Sequence, residues 1–177
     1  MKKFYLWLQY KNKRLGSSLI ELLIVVTLLV ILVSLAIPSL VFLRQQSISS
    51  ELDKLQIVCH LLQKQAVNYG RKEYLLFNVA DHAYFYCNHT EHLTQGCFFN
   101  YIKGVSGPPA NPKEAISLPV TFPHQKIIFY PNGAISAGTV YLTDKYAKTM
   151  YALTVPISQV SFMRKYKYHN GSWTYLK

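Results

Sequence analysis

Three groups of residues have types and spacings that could do chemistry. The first is His82, Cys87, His89, His92 and Cys97, imidazoles and thiols of the kind that hold zinc. Their spacing matches no common zinc module, so the expectation is no metal and a Cys87–Cys97 disulfide. Closing so short a loop would contribute on the order of 2–3 kcal/mol. The second is the basic C-terminal run, where no acid follows Asp144 but Lys145, Lys148, Arg164, Lys165, Lys167 and Lys177 do. Tyr146, Tyr166, Tyr168, Trp173 and Tyr175 are interleaved with them, and cations beside stackable rings suit nucleic acid. Arg164, Lys165 and Lys167 are the candidate DNA contacts, with a solvated basic strand face as the alternative. The third is Glu21, a lone carboxylate at the entry to an uncharged apolar run from Leu22 to Leu43. An ionised group there is costly unless partnered.

Nothing else in the chain points to catalysis. No phosphate loop, nucleophile elbow, His-Glu-x-x-His motif or pair of catalytic carboxylates is present, and the acids after Gly70 are only Glu73, Asp81, Glu91, Glu114 and Asp144. No enzyme and no cofactor are expected. The formal net charge is +11, and five of the 19 basic residues precede Ser17, so a chain beginning there would still be basic. Such a balance favours anionic partners without fixing any geometry.

The elements that must position these groups begin with the apolar run. A helix over about 20–43 would reach roughly 33 Å against a hydrocarbon core of about 30 Å, which predicts one membrane crossing. Lys2, Lys3, Lys11, Lys13 and Arg14 precede it and only Arg44 follows closely. The positive-inside rule then places the N-terminus in the cytoplasm and the rest in the bacterial periplasm. Beyond Arg44, Ile48, Leu52, Leu55, Cys59, Leu62, Ala66 and Tyr69 recur every three or four residues, one stripe of a helix that Gly70 ends. Cys59 reads as core. The period then changes to β-rich runs at 74–79, 83–87, 98–102, 126–130, 139–143, 150–155 and 160–163. A terminal hairpin joins 165–168 to 172–176 through Asn170-Gly171. The loop 104–112, with three prolines, is expected to be irregular.

The segment Arg14-Leu15-Gly16-Ser17-Ser18-Leu19-Ile20-Glu21-Leu22-Leu23-Ile24-Val25-Val26 resembles the N-terminal signature of type IV prepilins and type II secretion pseudopilins. In that family a glycine ends the leader and glutamate is the fifth mature residue, the places of Gly16 and Glu21. Pro38 falls where many pilins carry a helix-bending proline. The resemblance implies cleavage by the prepilin peptidase after Gly16, N-methylation of Ser17, and pairing of Glu21 with the terminal ammonium of a neighbouring subunit. Ser17 and Ser18 depart from the usual Phe-Thr. The electrostatics are sound in themselves: a cut there exposes an amine with a pKa of about 8, and Glu21 can neutralise it. For Glu21 a simple helix-capping role, and for Pro38 the end of the apolar segment, stand as alternatives.

A narrower likeness lies further on. Ile128-Phe129-Tyr130-Pro131-Asn132-Gly133-Ala134, then Gly138-Thr139-Val140-Tyr141-Leu142, looks like the F-x-P-x-G…G-x-I-x-L stretch of GspH/FimT-type minor pilins. Some members bind DNA through a C-terminal Gly-Arg-x-Arg element, which this chain lacks. The organisation expected is a leader at 1–16, a long helix at 17–70 and a β-rich domain at 71–177, with an α+β fold. The function implied is a minor pilin or pseudopilin of a type II secretion pseudopilus or type IV pilus. Its implied partners are other pilins, the prepilin peptidase, a membrane platform protein and a cytoplasmic ATPase. The alternatives are a DNA-binding minor pilin and a plain membrane-anchored periplasmic domain.

Overall fold

The computed structural model describes residues 18–109, 112 and 114–176, with the side chains of 35–45 outside the description. Two compact units divide the chain, Met1–Val41 and Phe42–Lys177. Helix α1 runs from Leu19 to Tyr69 and contributes to both. No glycine interrupts it. It ends where Gly70 takes a left-handed φ of 62°, a conformation that terminates helices because glycine has no Cβ to clash.

The membrane assignment needs correction. Among the described residues no helix is long and apolar enough to cross a membrane. The expected crossing at about 20–43 is therefore not supported. Nor is single-pass placement in a bacterial inner membrane, with a cytoplasmic N-terminus and a periplasmic domain. The fold class is corrected with it: the helix-plus-sheet composition fits α+β, but the transmembrane helix does not stand.

In the second unit most polar positions of α1 face outward, the buried Glu51 excepted, and the apolar stripe is sealed. Ile48, Leu52, Leu55, Cys59, Leu62 and Ala66 are all at most 2% exposed. They share one core with Leu75, Phe77, Ile127 and Phe129 of one sheet and Val140, Leu142, Leu153 and Val155 of another. The compact unit thus starts near Phe42, earlier than the expected boundary at 71, because the second half of the helix is part of its core.

Among the described residues, nine strands form two antiparallel sheets. The first, in the order β3-β2-β1-β5, comprises β1 (Glu73–Asn78), β2 (Ala83–Tyr86), β3 (His89–His92) and β5 (Lys126–Phe129). The second, in the order β4-β6-β7-β8-β9, comprises β4 (Cys97–Phe99), β6 (Gly138–Asp144), β7 (Met150–Val155), β8 (Arg164–His169) and β9 (Ser172–Leu176). β7 lies at the centre and is buried at every position, with Tyr151 and Leu153 in the main core and Met150 and Ala152 in a second cluster on the opposite face. Val105 and Ile116 belong to that second cluster, so the proline-containing segment covers the outer face of this sheet. Trp173 Nε1 donates to the Ser106 carbonyl at 3.0 Å and ties the cover down.

Two strand expectations change. Residues 160–163 form no strand; Val160 makes only an isolated bridge to Ile135. β3, on the other hand, contains His89 and His92, two of the candidate metal ligands. Cys87 and Asn88 both take positive φ, 44° and 64°, which makes the tight two-residue turn that folds β3 back on β2.

Candidate functional site

The most unusual surface is the start of α1. Every Leu, Ile and Val from Leu19 to Val33 is 50–83% exposed. The hydroxyls of this arm are satisfied locally: Thr27 Oγ1 donates to the Ile24 carbonyl at 2.8 Å and Ser34 Oγ to that of Ile31 at 2.7 Å. Such back-bonding leaves an outer surface with almost no polar demand. A helix that is apolar all round requires apolar surroundings on every side.

Glu21 is the exception on that arm. Ser18 caps the helix, its Oγ accepting the Glu21 N–H at 3.3 Å while its carbonyl accepts the same N–H at 2.9 Å. Ser18-x-x-Glu21 is the sequence of a capping box. The Glu21 carboxylate stays exposed and, among the described residues, has no ion pair. A negative charge in the first helical turn also meets the positive end of the helix dipole. Gly16 and Ser17 lie outside the described residues. Pro38 lies within α1, and its side chain is outside the description.

The His/Cys group is dispersed. His82 Nδ1 accepts the Phe99 N–H at 3.2 Å, while His89 and His92 sit exposed on β3. Among the described residues no group of three or more His, Cys, Asp or Glu is placed to hold a metal. The expected Cys87–Cys97 disulfide is corrected: both thiols are free. Cys87 forms the β2–β3 turn and donates to Gln65 Oε1 at 3.2 Å; Cys97 opens β4 in the other sheet, 3.8 Å from Ser47 Oγ. The sheet assignment is what parts them. Burial raises both thiol pKa values above the usual 9.0, so neither is an activated thiolate.

The C-terminal cations are divided by the pleat of β8. Lys165 and Lys167 oppose Leu153 and Tyr151 on the helix-facing side, and Arg164 alternates to the other. Lys165 Nζ lies 2.6 Å from Asp53 Oδ1 of α1 and its side chain is only 15% exposed. Lys167 stands over the Tyr151 ring at 5.6 Å and Arg164 over Phe162 at 5.0 Å. Tyr166, Tyr168 and Trp173 belong to the cluster that holds the proline-containing cover. Arg164, Lys165 and Lys167 therefore do not form one anionic-ligand face.

A different basic and aromatic surface escaped sequence reading: the outer face of the β3-β2-β1-β5 sheet, with Lys72, Tyr74, Lys126 and Tyr130. The exposed alternation of Tyr74 and Leu76 was its only local signal, and the pairing of β1 with β5 supplies the rest. Comparison with protein-family models, characterised proteins and solved structures gave no match for this chain.

Proposed function

We propose that this chain is a minor pilin-like or pseudopilin-like subunit that joins a filament through the start of α1. The observation that carries the reading is the apolar arm, exposed from Leu19 to Val33, with one exposed carboxylate, Glu21, in its first turn. Soluble monomers rarely leave a contiguous apolar surface of this extent uncovered. Neighbouring arms of the same kind would cover it on all sides. An ammonium created by cleavage after Gly16 would meet Glu21 of an adjacent subunit, removing the one polar obstacle to close packing. The sealed stripe of the second half of α1 supports the reading as well, because it makes that half of the helix part of the domain the filament would display.

The test is processing and assembly in cells that carry a prepilin peptidase. Wild-type protein should begin at Ser17 by mass spectrometry and crosslink to other pilins. Gly16→Ala should accumulate at full length, and Glu21→Ala should be cleaved yet fail to crosslink. A mature protein starting elsewhere, or normal crosslinking by Glu21→Ala, would overturn the proposal.

A further inference from the structure

The outer face of the β3-β2-β1-β5 sheet is uncovered, unlike that of the second sheet. In one row across the strands, Lys126, Leu76, Phe85 and Thr90 stand side by side by register. The neighbouring row begins with Ile128 beside Tyr74. Tyr74, Leu76 and Phe85 are 39%, 46% and 36% exposed, high for apolar side chains at the middle of a sheet. They line a shallow groove of about 500 Å³ that continues to Cys87 and His89.

Two lysines lie over tyrosine rings of this face, beside the groove rather than in its lining. Lys126 Nζ lies 4.8 Å from the centre of the Tyr74 ring, and Lys72 Nζ 5.4 Å from that of Tyr130. The one acid in the groove, Glu73, is held by Arg71 at 2.8 Å, so its charge is compensated. We propose that this face is a platform for single-stranded nucleic acid, with phosphates on Lys72 and Lys126 and bases stacked on Tyr74 and Phe85.

Three arguments select that ligand. An ammonium poised over a ring puts a bound phosphate within one nucleotide of a stacking surface, the combination that single-strand binders use. A duplex keeps its bases stacked inside and offers this face phosphates alone, leaving the rings unused. A second copy of the chain is a poor complement, because among the described residues at least four of its eight acids are engaged: Glu51 is buried, Asp53 pairs with Lys165, Glu73 with Arg71, and Asp81 is bonded to Asn78. The proposal is independent of the filament reading and uses none of Arg164, Lys165 and Lys167.

The experiment is fluorescence polarisation of the full chain in neutral detergent with a labelled oligothymidine of about 16 nucleotides, against a duplex of the same length. The single strand should bind more tightly than the duplex. Its affinity should fall with salt at a log–log slope of roughly −1.4, as two phosphate contacts require. Tyr74→Leu, which keeps the bulk and removes the π-face, should weaken binding about tenfold, and Tyr74→Phe should not. Lys126→Ala should flatten the salt slope; Arg164→Ala should change nothing. Equal or tighter duplex binding, an unaffected Tyr74→Leu variant, or a loss carried by Arg164→Ala would each overturn the proposal. So would no binding at about 50 mM salt.

Discussion

The three cysteines differ in what surrounds the sulfur. Cys87 is exposed on a tight turn, whereas Cys59 is fully buried on the helix stripe and Cys97 is buried at the start of β4. Burial raises all three thiol pKa values, most of all for Cys59. A thiol reagent at neutral pH should therefore label Cys87 in the native protein and the other two only on unfolding, and reductant should leave the melting temperature unchanged. Rapid labelling of none, with reduction needed to expose thiols, would restore the disulfide. Lys165 and Asp53 give a second prediction at this scale. Asp53 is half exposed, so a double-mutant cycle with alanine should return a coupling of no more than about 1 kcal/mol despite the 2.6 Å contact. The identity of Cys59 as core could be read from its place in a three-and-four repeat. The partners of Cys87 and Cys97 could not, because their ten-residue separation says nothing about which sheet each strand joins.

The helix stripe and the strands follow from periodicity, and their pairing does not. Ile48 to Ala66 recur at helical spacing, and Gly70 marks the stop; both were legible because they depend on local geometry. β3 was missed because His89-Thr90-Glu91-His92 has no apolar alternation, all four positions being exposed on an edge. Residues 160–163 read as a strand because Val160, Phe162 and Met163 are apolar, yet only Val160 makes a bridge and no partner strand runs beside them. Two substitutions test the elements. Leu55→Ala, in a position with no exposure, should cost about 2–5 kcal/mol in denaturant unfolding. Gly138→Ala should also destabilise, since a Cβ there would overlap the Phe122 ring and come within 2.9 Å of its Cα. Shortening Phe122 to leucine alongside Gly138→Ala should recover only part of the loss, because the backbone contact remains.

For the molecule as a whole, the buried ionisable groups set the alkaline limit. Burial pushes Tyr141 up from 10.0 to about 12, and it raises Tyr84, Tyr151 and Cys59 above their usual values as well. Each is neutral in both states below its unfolded value, so stability there is independent of these groups. As pH climbs past about 9 the unfolded chain ionises first, and stability is lost progressively through pH 12. Thermal melts from pH 8 to 11 should show that decline, and Tyr141→Phe should make it shallower; an unchanged slope would mean that Tyr141 ionises without unfolding. Neither this limit nor the outer sheet face is written locally in the chain, since both arise only when distant strands meet. The embedding of α1 has one more consequence. Its second half is clamped by six sealed apolar residues, by Glu51 Oε2 accepting the Thr94 hydroxyl at 2.5 Å, and by Asp53 on Lys165. A tensile load delivered along that axis must dislodge the whole row together instead of unzipping it contact by contact. Under mechanical pulling, the domain should therefore yield in a single high-force rupture.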